Sequence, residues 1–234
     1  MRVLACDTST EMLHLCYASL EAGKKPFFEA SIVTLANQHS EQLMPRILQL
    51  CDTNKITLKD LDLLACSSGP GSFTGLRISM STLKGISVAT GIPLVSIPTL
   101  EAYYHCVDQL SSAVLSVIDA KKQRFYAALF VDGRRVTPDL DAELPQLEAL
   151  LSRYDEVLLT GPDASLLAHR LSPSLHVRVD APGSLNLGPI LCRLAQEQYL
   201  SQGADDIGKG PVYVRKSDAE IALQQTIHAM EEHT

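Results

Sequence analysis

The sequence predicts an α/β protein built from two related lobes. Three observations carry this. An apolar strand ending at an aspartate occurs twice, as Val3-Leu4-Ala5-Cys6-Asp7 and Val114-Leu115-Ser116-Val117-Ile118-Asp119. Each is followed by a polar turn and a second strand, Leu13 to Ala18 in one case and Phe125 to Val131 in the other. A strand, a Gly-Pro turn and a helix start also occur twice, over residues 62–72 and 155–165. Two matches in the same order favour duplication over coincidence, and alternating strand and helix signals indicate sheets flanked by helices.

The lobes are expected at residues 1–100 and 101–204, with a C-terminal tail at 205–234 that can pack back on the first lobe. Gly69 follows Asp7 by 62 positions, whereas Gly161 follows Asp119 by 42. The second lobe is therefore expected to be reduced, lacking a segment about the size of one helix.

In order, Arg2 to Cys6 and Leu13 to Ala18 read as strands, Gly23 and Pro26 mark a hairpin turn, and Phe27 to Leu35 is a third strand. Leu43, Ile47, Leu50 and Cys51 recur at near-helical spacing, so a helix runs to about Thr53. Asn37 or Ser40 would cap it, and Pro45 must lie in its first turn or bend it. A strand to Cys66 leads into Gly69-Pro70-Gly71-Ser72-Phe73-Thr74-Gly75-Leu76-Arg77, and a helix follows from Leu76 to about Thr90. Gly91-Ile92-Pro93 ends that helix before a strand at Leu94 to Ile97. In the second lobe, Leu144 to Leu151, Ala164 to Leu171 and Leu187 to Leu200 read as helices, and Leu175 to Val179 as a strand. Residues 201–210 read as a linker, Val212 to Arg215 as a short extended piece, and Asp218 to about Glu232 as a tail helix.

Composition excludes several classes. The 234 residues are 46% apolar and 20% charged, with a net charge of −7 and no basic block. Nucleic-acid binding by the chain alone is therefore not expected, because phosphate neutralisation supplies most non-specific affinity. None of the six cysteines forms a CxxC pair, and several sit inside apolar runs, which fits a reducing compartment. Asp7 comes too early for a signal peptide, and no apolar run approaches the roughly 20 residues of a membrane span. A cytoplasmic protein is expected.

The stretch around Gly69 is the centre of the chain. Its glycines permit backbone angles and close approaches that a Cβ forbids, and Ser72 or Thr74 can cap the following helix. Free N–H groups and the helix dipole make such a turn a candidate anion site. The named phosphate motifs nevertheless fail: no lysine follows Gly75, and Gly69, Gly71 and Gly75 give GxGxxxG, one residue too long for a dinucleotide fingerprint. On spacing alone a structural turn is favoured.

The motifs Asp7-Thr8-Ser9-Thr10, His39-Ser40-Glu41-Gln42-Leu43-Met44-Pro45, Gly69 to Arg77, Ile118-Asp119-Ala120 and Pro211-Val212-Tyr213-Val214-Arg215 occur in an order that resembles the bacterial TsaB (YeaZ) family. The resemblance covers nearly the whole chain, and the glycine stretch is its most specific part. It implies two actin-like lobes, and a non-catalytic scaffold that binds and activates TsaD, its catalytic paralogue. TsaD transfers threonylcarbamoyl from threonylcarbamoyl-AMP to adenosine 37 of tRNA. The implied partners are TsaD, through the first-lobe helices, and TsaE with ATP. A homodimer is implied for the chain alone, and tRNA contact only through the complex.

In TsaD the resemblance implies a metal held partly by a His-x-x-x-His pair. The matching segment here is Thr99-Leu100-Glu101-Ala102-Tyr103, with both histidines replaced, so no metal and no firm cofactor are expected. Asp7, Thr8, Ser9, Gly69 and Asp119 remain weak nucleotide candidates, because actin-like ATPases place acids acting through Mg²⁺ at the positions of Asp7 and Asp119. The simpler reading, that both acids cap turns, is favoured, and it leaves room for weak ADP or ATP binding. His39 beside Glu41 suits a helix N-terminus better than catalysis. Ser72 is not in a GxSxG setting, and Cys6 and Cys66 read as core. The expected partner face comprises His39, Leu43, Met44, Ile47, Leu76, Ser79, Met80, Leu83 and Ser87. The alternative function is a stand-alone ATPase or small-molecule kinase of actin-like fold.

Overall fold

The computed structural model describes residues 1–35, 38–180 and 186–215. The first sheet contains β1 (Arg2–Asp7), β2 (Met12–Ser19), β3 (Phe27–Thr34), β4 (Leu63–Gly69) and β5 (Leu94–Pro98), in the order β3-β2-β1-β4-β5. The second contains β6 (Ala113–Asp119), β7 (Arg124–Val131), β8 (Arg134–Arg135), β9 (Leu140–Glu143), β10 (Val157–Thr160) and β11 (Val177–Val179), in the order β11-β10-β6-β7-β8 with β9 also pairing β7. In both sheets the opening strand pairs antiparallel with the second and parallel with the strand before the Gly-Pro turn. The repeated strand order is the structural form of the repeated sequence.

The helices are α1 (His39–Thr53), α2 (Phe73–Thr90), α3 (Thr99–Tyr104), α4 (Leu144–Leu151), α5 (Ala164–Ala168) and α6 (Leu187–Gln202). The second lobe lacks no helix. Its counterparts of α1 and α2 are shortened to 8 and 5 residues, against 15 and 18 in the first lobe. Between the aspartate and the Gly-Pro turn the deficit is spread over α4, shorter than α1, and β9, of 4 residues against 8 in β3, which spacing between motifs could not reveal; the shortening of α5 lies beyond that turn. Gln38 occupies the position before α1, and Ser40 lies inside the helix without capping it. Asn37 and the expected tail helix fall outside the described residues. Pro45 lies beyond the first turn of α1, on its exposed side.

Three apolar clusters stack through the molecule. One lies between the first sheet and α1 and α2, around Leu4, Leu13, Leu43, Ile47, Met80 and Leu83. A second lies outside the second sheet, under α4 and α5, around Leu115, Phe125, Leu147 and Leu167. The third joins the lobes: Val3, Ala5, Leu63 and Val95 of the first sheet meet Val114, Ile118, Ala128 and Phe130 of the second across α3 and α6. Helix α6, which the sequence groups with the second lobe, packs on the first sheet, with Gly188 against Cys16. Its apolar stripe of Leu187, Leu191, Cys192 and Ala195 is fully buried there. Each large aliphatic side chain buried this way contributes about 1.5–3 kcal/mol. Among the described residues, no helix is long and apolar enough to cross a membrane.

Candidate functional site

β1, β4, β6 and β10 each end in a polar turn near the seam between the lobes. Asp7 ends β1 and is fully buried. Its carboxylate accepts from the Ser9 amide (3.1 Å) and the Ser9 hydroxyl (3.0 Å), closing an Asx turn. The Thr8 hydroxyl donates to the Gly75 carbonyl at 2.6 Å, and the Ser72 amide donates to the Ser9 carbonyl at 2.6 Å. The glycine turn therefore lies directly on the Thr8-Ser9 turn. Ser72 caps α2 by accepting from the Gly75 amide at 3.2 Å, which decides between Ser72 and Thr74. A Cβ on Gly75 would overlap the Thr8 carbonyl oxygen, so the close approach requires glycine there.

The second lobe repeats the arrangement in a more open form. The Asp119 carboxylate accepts from the Lys121 amide (2.8 Å) and ammonium (3.1 Å), and the Asp119 amide donates to Asp163 at 2.7 Å. This hydrogen bond to Asp119 holds the Lys121 ammonium above its ordinary pKa. Burial pushes the Asp163 carboxyl up. Thr10, Glu11, Ser72, Asp119, Lys121 and Asp163 line a cleft of about 430 Å³ between the lobes. A neighbouring cavity of about 360 Å³ lies between the glycine turn, Tyr126 and residues 212–215. The cleft thus brings Ser9 and Asp119 together, while Asp7, Thr8 and Gly69 lie behind its wall. Lys121 and Asp163 are cleft residues that sequence reading left aside. The recurrence of Gly161-Pro162-Asp163 opposite Gly69-Pro70-Gly71 was their available signal.

Thr99 opens α3 and is fully buried, its hydroxyl accepting from the Gly69 amide at 3.1 Å. Tyr103, one turn later, is also fully buried, in the apolar cluster that joins the lobes. Burial, and then the nearby Asp7, push its phenol well above the ordinary range. The positions matched to a metal-binding histidine pair are thus both committed to packing.

Burial also raises the thiols Cys6 and Cys66, the latter to about 12, so neither is activated as a nucleophile. His14, opposite Asp7 in the sheet, is fully buried, and neither ring nitrogen has a hydrogen-bond partner.

The structure buries most of the residues of the expected partner face within the chain itself. Leu43, Ile47, Leu76, Ser79, Met80 and Leu83 are all buried, because they form the inward side of α1 and α2 over the sheet. His39 is buried at the start of α1, while Met44 and Ser87 are half-buried. The outward face instead presents Leu48 (49% exposed), Ser81, Gly85 and Val88 (75% exposed) beside Met44 and Ile78. Both faces carry apolar residues, so sequence periodicity could not say which one met the sheet.

Residues 33–150, half of the chain, match the family described as TsaD, tRNA N6-adenosine threonylcarbamoyltransferase. The tRNA threonylcarbamoyladenosine biosynthesis protein TsaB of Bacillus subtilis (strain 168) is 26% identical over 225 residues, covering 94% of this chain and 96% of that protein. TsaB of Escherichia coli (strain K12) is 29% identical over 130 residues, covering 55% of this chain and 54% of that protein. The solved structure of YeaZ from Pseudomonas aeruginosa has the same fold, with a TM-score of 0.73 and 24% identity over 91% of this chain and 99% of that one. The chain belongs to the family described as TsaD, tRNA N6-adenosine threonylcarbamoyltransferase, and along nearly its whole length it is similar to a protein named TsaB.

Proposed function

We propose that this chain serves the synthesis of N6-threonylcarbamoyladenosine at position 37 of tRNA as a non-catalytic subunit. It binds TsaD and organises it for transfer of threonylcarbamoyl from threonylcarbamoyl-AMP. TsaE with ATP acts on the same assembly, and tRNA is met through the complex. The names of the Bacillus and Escherichia relatives support the pathway. The commitment of Thr99 and Tyr103 to packing is the observation that carries the non-catalytic role: neither side chain is disposed to bind a metal. The closed Asp7 turn supports it further, since both carboxylate oxygens are engaged by Ser9. The outward face of α1 and α2 is the docking surface we assign to TsaD, and to a second copy when the chain is alone.

The cleft beside Asp119 and Asp163 supports a second reading, a stand-alone ATPase or small-molecule kinase. An omission experiment separates the two. TsaD, TsaE, threonylcarbamoyl-AMP synthase, ATP, threonine, bicarbonate and unmodified tRNA are combined with and without this chain, and modified adenosine is measured by mass spectrometry of digested tRNA. The proposal expects modification only with the chain, surviving Asp119→Ala. Modification independent of the chain, or ATP turnover by the chain alone that Asp119→Ala abolishes, would overturn it.

A further inference from the structure

Residues 205–215 run along the first lobe and then cross to the second, and each step of the path is held. The Asp205 carboxylate accepts from the Ser96 amide (2.7 Å) and hydroxyl (2.5 Å), and its own amide donates to the Leu94 carbonyl at 2.9 Å. Lys84 of α2 donates to the Lys209 carbonyl at 2.6 Å. The Val212 amide donates to the Ser68 carbonyl at 2.7 Å, extending the end of β4. Beside it, the Val212 carbonyl occupies the space that a Cβ on Gly69 would fill, and Gly69 has a φ of +118°. Tyr213 then packs against Phe73 with centroids 4.6 Å apart and the rings tilted by 32°, and its hydroxyl accepts from Arg77 Nε at 2.9 Å. The Arg77 guanidinium itself lies 3.8 Å from the centre of the Phe73 ring.

Two residues later the path reaches the second lobe. Arg215 sets Nε and Nη2 on the two carboxylate oxygens of Asp141, at 2.8 and 2.7 Å. Its Nη1 donates to the Ala120 carbonyl at 3.0 Å, in the turn that follows Asp119. Asp141 also receives Arg124 at 3.0 Å, on the same hairpin. Hydrogen bonding by Arg215, and then by Arg124, holds the Asp141 carboxyl below its ordinary range. A two-pronged guanidinium–carboxylate pair is directional as well as strong, and this one is only partly exposed.

We infer that residues 205–215 are a strap, latched at Arg215–Asp141, that holds the two lobes at one fixed opening. The strap crosses beside the glycine turn, from the end of β4 in the first lobe to the turn after Asp119 in the second. The chain therefore presents α1 and α2 to a partner on a body whose second lobe cannot swing.

The test is an interlobe distance distribution. Nitroxide labels are placed on cysteines at Gln49 of α1 and Arg153 after α4, both exposed, with Cys106→Ser removing the one native thiol that is not fully enclosed. Electron–electron double resonance is then recorded on the full chain. The labelled parent is expected to give one narrow distribution. Arg215→Met and Asp141→Asn are each expected to broaden it at least twofold, with little change in thermal melting. Tyr213→Ala, which leaves the Arg215 pair intact, is expected to broaden it less. Should Arg215→Met fail to fold, the isosteric Asp141→Asn supplies the same reading. Distributions for folded Arg215→Met or Asp141→Asn that superimpose on the parent would overturn the strap, as would a parent that is already broad.

Discussion

The Thr99 hydroxyl accepts a hydrogen bond from the Gly69 amide at 3.1 Å, tying the first turn of α3 to the end of β4 in the buried interior. Thr99→Val keeps the shape and removes the acceptor. It leaves a buried N–H unsatisfied, at a cost of about 1–3 kcal/mol. Urea denaturation of the purified variant measures this, and an unchanged midpoint would mean that the amide finds another acceptor.

Two glycines in the α2 segment predict opposite outcomes. Gly75→Ala drives a methyl group into the Thr8 carbonyl and should destabilise by about 3 kcal/mol, near the upper end of overpacking costs. Gly85 is exposed, mid-helix, and would place a Cβ in open space. Gly85→Ala should stabilise the isolated chain by about 0.5–1 kcal/mol through backbone entropy alone. Thermal melting of the pair checks both signs.

The two faces of α1 and α2 separate stability from association. Leu43→Ala empties a buried position and should cost about 2–5 kcal/mol of stability. Leu48→Glu and Val88→Glu lie on the outward face and should change stability by less than about 0.5 kcal/mol. At the proposed docking surface they should nevertheless weaken binding to TsaD about tenfold or more. Gel filtration with the partner reads the second effect. Binding that survives both outward changes would move the docking surface elsewhere.

His14 sets a pH dependence. Burial lowers its pKa below 6.5, against the opposing pull of Asp7. The native state therefore holds the ring neutral, while the unfolded chain takes up a proton near pH 6.5. Its contribution to stability is complete above that pH and is lost as the pH falls below it. His14→Leu should flatten the difference in urea midpoint between pH 7.5 and about 5.5. An equal slope in variant and parent would show that other groups govern it.

Much of the fold was legible because the repeat is written in strong local signals. Apolar strands ending at Asp7 and Asp119, and Gly-Pro turns at Gly69 and Gly161, marked two repeated units, while the strand order and the short strands β8 and β9 came only from the structure. What sequence could not give depends on which faces meet. Leu43, Ile47 and Met80 looked as available to a partner as Leu48 and Val88, because helical spacing marks a stripe without naming its neighbour. Helix α6 carries a stripe that suits either sheet, and its packing on β1 and β2, with Gly188 against Cys16, shows which one it covers. The cleft was half visible: Asp119 stood out at a strand end, whereas Asp163 needed the repeat to be followed to its second turn.

The place of α6 also has a consequence for the order in which the chain can be made. The first sheet is complete in sequence by Pro98, yet one of its faces is covered only in part, by α3 and the second sheet, until Leu187–Gln202 arrives. Between them the ribosome must deliver the whole second lobe. Domains generally fold from the N-terminus as they emerge, but here the earlier lobe waits for the later one. During translation Val3, Ala5, Cys16 and Ala18 lack the α6 side chains that finally cover them. The first lobe is thus completed by a helix that follows the second lobe in the chain.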